Sequence, residues 1–345
     1  MPTFDNRRST LDYRYNERMS RQHCTRLSSL MLLPIAALSS IGLAQATTDF
    51  AGDWVLKVGN RIFMLVTLRP APEAGGSLTG SLLRPEHLSM GNGALFSGIK
   101  GPVVHYPIVR SNAKGNCLRF TVQNPADKTD QNDFQLCLAE DGRGSLKIDI
   151  LGVDPWPVSK EKGPLAPATD WDSTRTYFLD DTGVSSSEMQ RIYEEDQKDR
   201  QAGITNLDRA LLARADAARR EATRKLLADG NLHTGEDFER AAFVFQHGDT
   251  PDDYLLAHTL AMVAVARGQS AAIWIGAATL DRYLNSIHQP QVYGTQFYFK
   301  PSEPTTQEPY NRGLISDALR RDLGVPSQAT QEDQRRQYEA ERTQH

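Results

Sequence analysis

Cysteine is scarce in this chain, with three among 345 residues. Neither C-x-x-C nor H-E-x-x-H spacing occurs, so a thiolate metal knuckle and a helix-borne zinc site both lack a basis. His87, His105, His233 and His288 share no ligand spacing, and neither a metal nor a cofactor is expected. A G-x-S-x-G elbow, a Walker loop and a dinucleotide fingerprint are also missing, which removes the common nucleophile and nucleotide classes. Past residue 46 no run is long and apolar enough for a membrane span. There is no basic stripe either: the formal charge is −4 overall, about +1 over Thr47 to Leu165 and −8 over Ala166 to His345. That balance argues against nucleic acid as a partner.

One hydrophobic run is present, near the N-terminus. Arg21 and Arg26 precede the uncharged stretch Leu27 to Ala46, which contains Leu30-Met31-Leu32-Leu33 and closes on Ala44-Gln45-Ala46. A basic region, an apolar region and an A-x-A site in that order read as a secretory signal peptide over 1–46, with Met19 an alternative start. The protein is accordingly expected to be exported, periplasmic or secreted. Pro34 and several serines leave the run short against the ~20 residues a bilayer needs, so a membrane is a partner only if the segment stays uncleaved. Cys117 and Cys137 lie in two alternating strands flanking the turn-rich Asn124 to Asn132. They are read as a disulfide of an oxidising compartment, with two buried thiols as the alternative.

Residues 47–158 alternate in short runs punctuated by Gly, Pro, Asn and Asp: Trp54 to Val58, Ile62 to Leu68, Ser77 to Leu83, Val103 to Val109, the two cysteine strands, and Ser145 to Ile150. Such spacing predicts an all-β barrel or sandwich. The opening Phe50-Ala51-Gly52-Asp53-Trp54 resembles the G-x-W start of lipocalin-like barrels, which implies a tryptophan closing the barrel floor. A Pro- and Gly-rich stretch makes 159–186 a linker. Helical periodicity then takes over: Glu188 to Gln201, Leu207 to Ala228, Gly235 to His247, Pro251 to Arg267, Ser270 to Ile287 and Asn311 to Leu323. The fold expected is α+β in two separate domains, a β domain at 47–158 and an all-α domain at 187–325, with 326–345 a charged, solvated tail or frayed helix.

Four polar groupings stand out in the helical half. Tyr193, Asp196, Gln197 and Arg200 fall at i, i+3, i+4 and i+7 and share a helix face. Gln246-His247 and Asp249 end an apolar helix, where the imidazole is a candidate general base or a cap of its own helix. Asp281 and Arg282 sit in a helix apolar nearly all round, so both charges need internal partners or a ligand. Pro290 to Gln296 is a loop of hydrogen-bonding side chains around a turn glycine, the kind of segment that often carries recognition. His258, inside a leucine- and alanine-rich helix, is read as a satisfied core histidine.

In this order the groupings resemble a bacterial domain family of unknown function defined by D-Q-x-x-R, Q-H-x-D, D-R and P-Q-x-Y-G-T-Q motifs. The resemblance covers about residues 187–300 and implies that the four groupings converge; it implies no activity. The reading is a cleft in which Asp196, Gln197, Arg200, Gln246, Gln291, Tyr293, Thr295 and Gln296 bind a polar ligand, a peptide or a cell-envelope component. A hydrolase is the alternative, with His247 as base, Asp249 or Asp281 orienting it, and Arg282 or Tyr293 stabilising negative charge. A third reading makes the polar set a buried packing network.

Overall fold

The computed structural model describes residues 49–71, 77–201, 209–300 and 303–343; the expected signal segment and Leu207 lie outside them. The first part is a closed antiparallel barrel. Its eight strands are β1 (Gly52–Val58), β2 (Arg61–Pro70), β3 (Leu78–Gly91), β4 (Leu95–Lys114), β5 (Cys117–Gln123), β6 (Gln131–Leu138), β7 (Gly144–Ile148) and β8 (Trp156–Glu161). Each pairs with the next in sequence, and β8 returns to β1 through Asp53, Trp54 and Val55. A ninth short strand, β9 (Tyr177–Phe178), pairs with β4. Closure leaves no exposed sheet edge among the eight. It resolves the barrel-or-sandwich alternative in favour of the barrel.

Alternation explains the filling. Trp54, Leu56 and Val58 on β1, Leu118, Phe120 and Val122 on β5, Phe134 and Leu136 on β6, and Trp156 and Val158 on β8 all enter one core, as period-two side chains on a closed sheet must. Both buried indoles keep a partner: Trp54 Nε1 donates to Phe50 O (2.8 Å) and Trp156 Nε1 to Gly93 O (2.9 Å). Gly144 is small of necessity, because a Cβ there would lie 2.7 Å from the Trp54 ring. Cys117 and Cys137 face each other across β5 and β6 and form a disulfide.

The proline-rich stretch packs against the barrel. Trp171 meets Phe63 and Tyr177 edge-on, with the Arg61 guanidinium over its ring. Seven helices follow among the described residues: α1 (Ser187–Gln201), α2 (Arg209–Ala228), α3 (Gly235–Phe245), α4 (Pro251–Ala266), α5 (Ala272–Ser286), α6 (Asp317–Asp322) and α7 (Gln328–Thr343). Thr234 and Thr250 cap α3 and α4 through their hydroxyls, and Pro251 opens α4, the position where a missing N–H costs nothing. Arg267, just past α4, donates to His233 O and to both Asp180 oxygens (2.5, 2.8 and 2.9 Å) while its guanidinium covers Phe178 and Phe238. That single side chain fastens the β9 segment to the helices.

Two expectations change in the helical half. The helix read from Asn311 is only α6, because Asn311 N donates to Gln291 O and holds the preceding chain in a bridge. The charged final run is the ordered helix α7, whose Gln331 is buried. No helix among the described residues is long and apolar enough to cross a membrane.

Candidate functional site

The polar groupings sort into two neighbouring sets with opposite character. In the first, α5 delivers a fully buried carboxylate, Asp281, beneath the loop that follows it. Its Oδ1 accepts from Val292 N and Tyr293 N (2.8 and 3.0 Å), and its Oδ2 from Thr295 N and Thr295 Oγ1 (2.9 and 2.8 Å). Gln291, also fully buried, donates to Gln296 O and Gln307 O and accepts from Gln296 N. The Gln296 amide donates to Thr295 Oγ1 (2.9 Å) and Ala278 O (3.3 Å).

Residues from further along the chain close the same loop. Tyr293 O receives Tyr310 OH and Gln331 Nε2, and Gln307 Nε2 reaches Gly294 O at 2.6 Å. Gly294 has φ +81°, and a Cβ there would lie 2.1 Å from Gln331 Oε1, so backbone conformation and packing both require glycine. Asp281, Gln291, Thr295 and Gln296 thus serve the loop's own architecture. Burial pushes the Tyr293 phenol pKa up, and the Asp281 charge adds to it.

The second set lies where α1, α2, α3 and α5 meet. Arg200 donates to both Asp216 oxygens (3.1 and 3.0 Å) and its Nη1 lies 2.9 Å from Asp196 Oδ1. Arg219 donates to Asp216 Oδ1 at 2.7 Å and to Asp199. Gln197 Nε2 reaches Asp196 Oδ2 at 3.0 Å. The His247 ring stands beside this group, its Nε2 3.8 Å from Asp196 Oδ2, too far for a hydrogen bond.

Two buried atoms here lack a partner, His247 Nε2 and Arg282 Nε, while Asn285, one turn beyond Arg282, lies against Tyr298. Three aspartates (196, 199, 216) face the paired Arg200 and Arg219, and no carboxylate pairs with Arg282 among the described residues.

Burial sets the protonation states. It raises the Asp196 carboxyl to about 6, with Arg200 and Arg219 opposing. It lowers the His247 imidazole to about 3, and the Arg200 and Arg282 cations push the same way. It also lowers the Arg282 guanidinium pKa. Near neutrality the site therefore holds a neutral imidazole, a guanidinium without a carboxylate partner and a carboxylate that takes up a proton about two pH units sooner than an ordinary one. An imidazole this weakly basic sits far below the pKa near 7 that suits a general base. It remains a good hydrogen-bonding group, and His247 keeps 22% of its side chain in contact with solvent.

Of the residues singled out from sequence, Asp196, Gln197, Arg200, His247 and Arg282 come together. Asp281, Gln291, Tyr293, Thr295 and Gln296 form the adjoining loop framework. Asp249 is turned away: its carboxylate meets Arg220 (2.5 Å), which also donates to His247 O, so the carboxylate beside the imidazole is Asp196. Gln246 is buried at the C-cap of α3. His258 Nδ1 lies 2.8 Å from Gly276 O and the residue is half-buried, so it has a partner but is not a fully buried core residue.

Sequence reasoning misses Asp216, Arg219 and Asn285. The first two share a face of α2 with Arg220 and Thr223 at i, i+3, i+4 and i+7, and that face is polar yet buried, which an apolar-stripe search passes over. No family model, curated protein or solved structure matches the chain.

Proposed function

We propose that the helical region is a binding module for a small polar ligand carrying a carboxylate, received by Arg282, His247, Asp196 and Asn285. One observation carries this: two buried groups without a partner, His247 Nε2 and Arg282 Nε, lie near each other, and Arg282 follows directly on Asp281, whose loop has its own polar groups answered. A buried polar group left without a partner costs ~1–3 kcal/mol, more when charged, so a cluster of them is kept for something that supplies the partners. Arg282 supplies the donors for a carboxylate, and His247 and Asn285 suit its amide or hydroxyl substituents.

The four-motif resemblance fits this reading in part, with Asp196, Gln197, Arg200, His247 and Arg282 as contacts and the P-Q-x-Y-G-T-Q loop as their frame, while Gln246 and Asp249 serve the end of α3. The hydrolase alternative is weakened by an imidazole held near 3. The Cys117–Cys137 bridge favours an oxidising compartment and hence export, which makes cell-envelope carboxylates natural ligands.

The test is thermal shift of the full chain against L-glutamate, D-glucuronate and D-alanyl-D-alanine, each beside its carboxyl-amidated form. A ligand of the folded state raises the melting temperature in a saturable way. At least one carboxylate is expected to do so, its amide not, and Arg282→Met is expected to abolish the effect. Absence of any shift, or a shift that survives in Arg282→Met, overturns the proposal.

A further inference from the structure

The barrel carries a second polar surface, unrelated to the helical site. A groove of about 950 Å³ runs over the outer face of β4 to β7, with Leu78 and Thr79 of β3 along its side. The Ser111 hydroxyl fixes that side by accepting from Leu78 N (2.9 Å) and donating to Leu78 O (2.6 Å). Strand register sets the floor. Arg119, Gln135 and Lys147 are successive cross-strand partners, and Arg110, Thr121 and Asp133 form the next row. Asp149 extends that row, its N–H donating to Asp133 O.

The rows set three cations, Arg110, Arg119 and Lys147, beside two carboxylates, Asp133 and Asp149. Arg110, Arg119 and Lys147 are exposed, and none forms an ion pair among the described residues. Guanidinium and ammonium groups only donate, so they require anionic or strongly accepting partners. The Asp133 and Asp149 carboxylates only accept; Asp133 Oδ1 already takes the Thr121 hydroxyl at 2.5 Å, and the remaining oxygens suit donors such as hydroxyls. The aromatic rings nearby, Phe120 and Phe134, stack on each other inside the barrel core. Without an exposed ring on the floor, the bases of a nucleic acid have nothing to stack on.

We propose that this groove binds an acidic oligosaccharide, a chain that alternates carboxylates with hydroxyls, with Arg119 and Lys147 taking the carboxylates and Asp133, Asp149 and Gln135 the hydroxyls. The cross-strand spacing of ~4.8 Å within each row repeats contacts along an extended ligand. The Cys117–Cys137 bridge, next to the Arg119 and Gln135 pair, holds β5 and β6 in that register.

Isothermal titration of the full chain with hexagalacturonate, maltohexaose and poly-L-glutamate tests the assignment. Hexagalacturonate is expected to bind and the two controls to bind at least about tenfold more weakly. Arg119→Ser and Lys147→Ser are each expected to weaken binding about tenfold, the loss of one charge-assisted hydrogen bond. Both substitutions on the groove are at exposed positions, and circular dichroism checks that each variant is folded. No binding of hexagalacturonate, equal binding of poly-L-glutamate, or full binding by the folded Arg119→Ser, Lys147→Ser double variant overturns the proposal.

Discussion

Asp281 and Arg282 are neighbours on one helix, yet removing their charges is expected to change stability in opposite directions. Arg282→Met keeps most of the apolar stem and deletes a guanidinium whose Nε is buried without a partner. An unsatisfied buried group costs ~1–3 kcal/mol and charged groups more; against that, a shorter side chain gives up some packing. The net expectation for ligand-free protein is a gain of about 1 kcal/mol. Asp281→Asn leaves the shape but replaces one acceptor oxygen with an NH2 that faces backbone N–H and hydroxyl donors. Two of the four hydrogen bonds to this carboxylate are then lost, each worth ~1.5–3 kcal/mol to a charged group, for a loss of about 3–6 kcal/mol. Urea unfolding followed by helical circular dichroism reads both as shifts in midpoint at constant slope. If Arg282→Met lowers stability by more than ~1 kcal/mol, the guanidinium is a packing element and the reasoning fails.

Acid gives a second handle. His247 is held near 3 in the folded chain against an ordinary imidazole value of 6.5, so between those values the unfolded chain binds the extra proton and stability falls as pH falls, by at most ~1.4 kcal/mol per pH unit. Asp196, raised to about 6, acts in the opposite sense between about pH 6 and 4, since there the folded chain holds the extra proton. His247→Gln is expected to flatten the acid limb of a stability-pH curve and Asp196→Asn to steepen it; an unchanged limb in both rejects the assigned protonation states. Gly294→Ala is expected to destabilise the helical region by ~2–4 kcal/mol, through a left-handed backbone and a collision with Gln331, read as a lowered helical unfolding midpoint. Replacing Cys117 and Cys137 by serine releases a loop closed over 20 residues and is expected to cost the barrel ~3 kcal/mol, read by tryptophan fluorescence in urea.

How legible all this was depended on which force shaped each element. Period-two alternation marks β5 and β6, and continuous apolar runs mark β1 and β2, where Trp54 to Leu56 and Phe63 to Val66 are buried on both faces. Strand β8 hid behind Pro155 and Pro157: only Trp156 and Val158 face the core, and a proline-rich run reads as linker. The β3–β4 hairpin carried an overlooked signal, Asn92-Gly93, both with positive φ, a pair that favours tight hairpin turns. In the helical half the charged run after Thr330 looked solvated because composition cannot reveal that Gln331 spends its amide on Tyr293 O and Pro326 O. The site residues were visible as unusual charges in apolar helices. Their division was not, because adjacent helical positions point about 100° apart and only the tertiary fold says what each direction meets.

A small closed sheet is either a vessel or a post. With two indoles and the rings of Phe63, Phe96, Phe120 and Phe134 occupying its axis, this one is a post. A hydrophobic guest would have to evict a ring, so the chemistry the β part offers a partner is written on its outside. There the spacing between side chains is set by the strand register, with Arg119, Gln135 and Lys147 side by side on neighbouring strands.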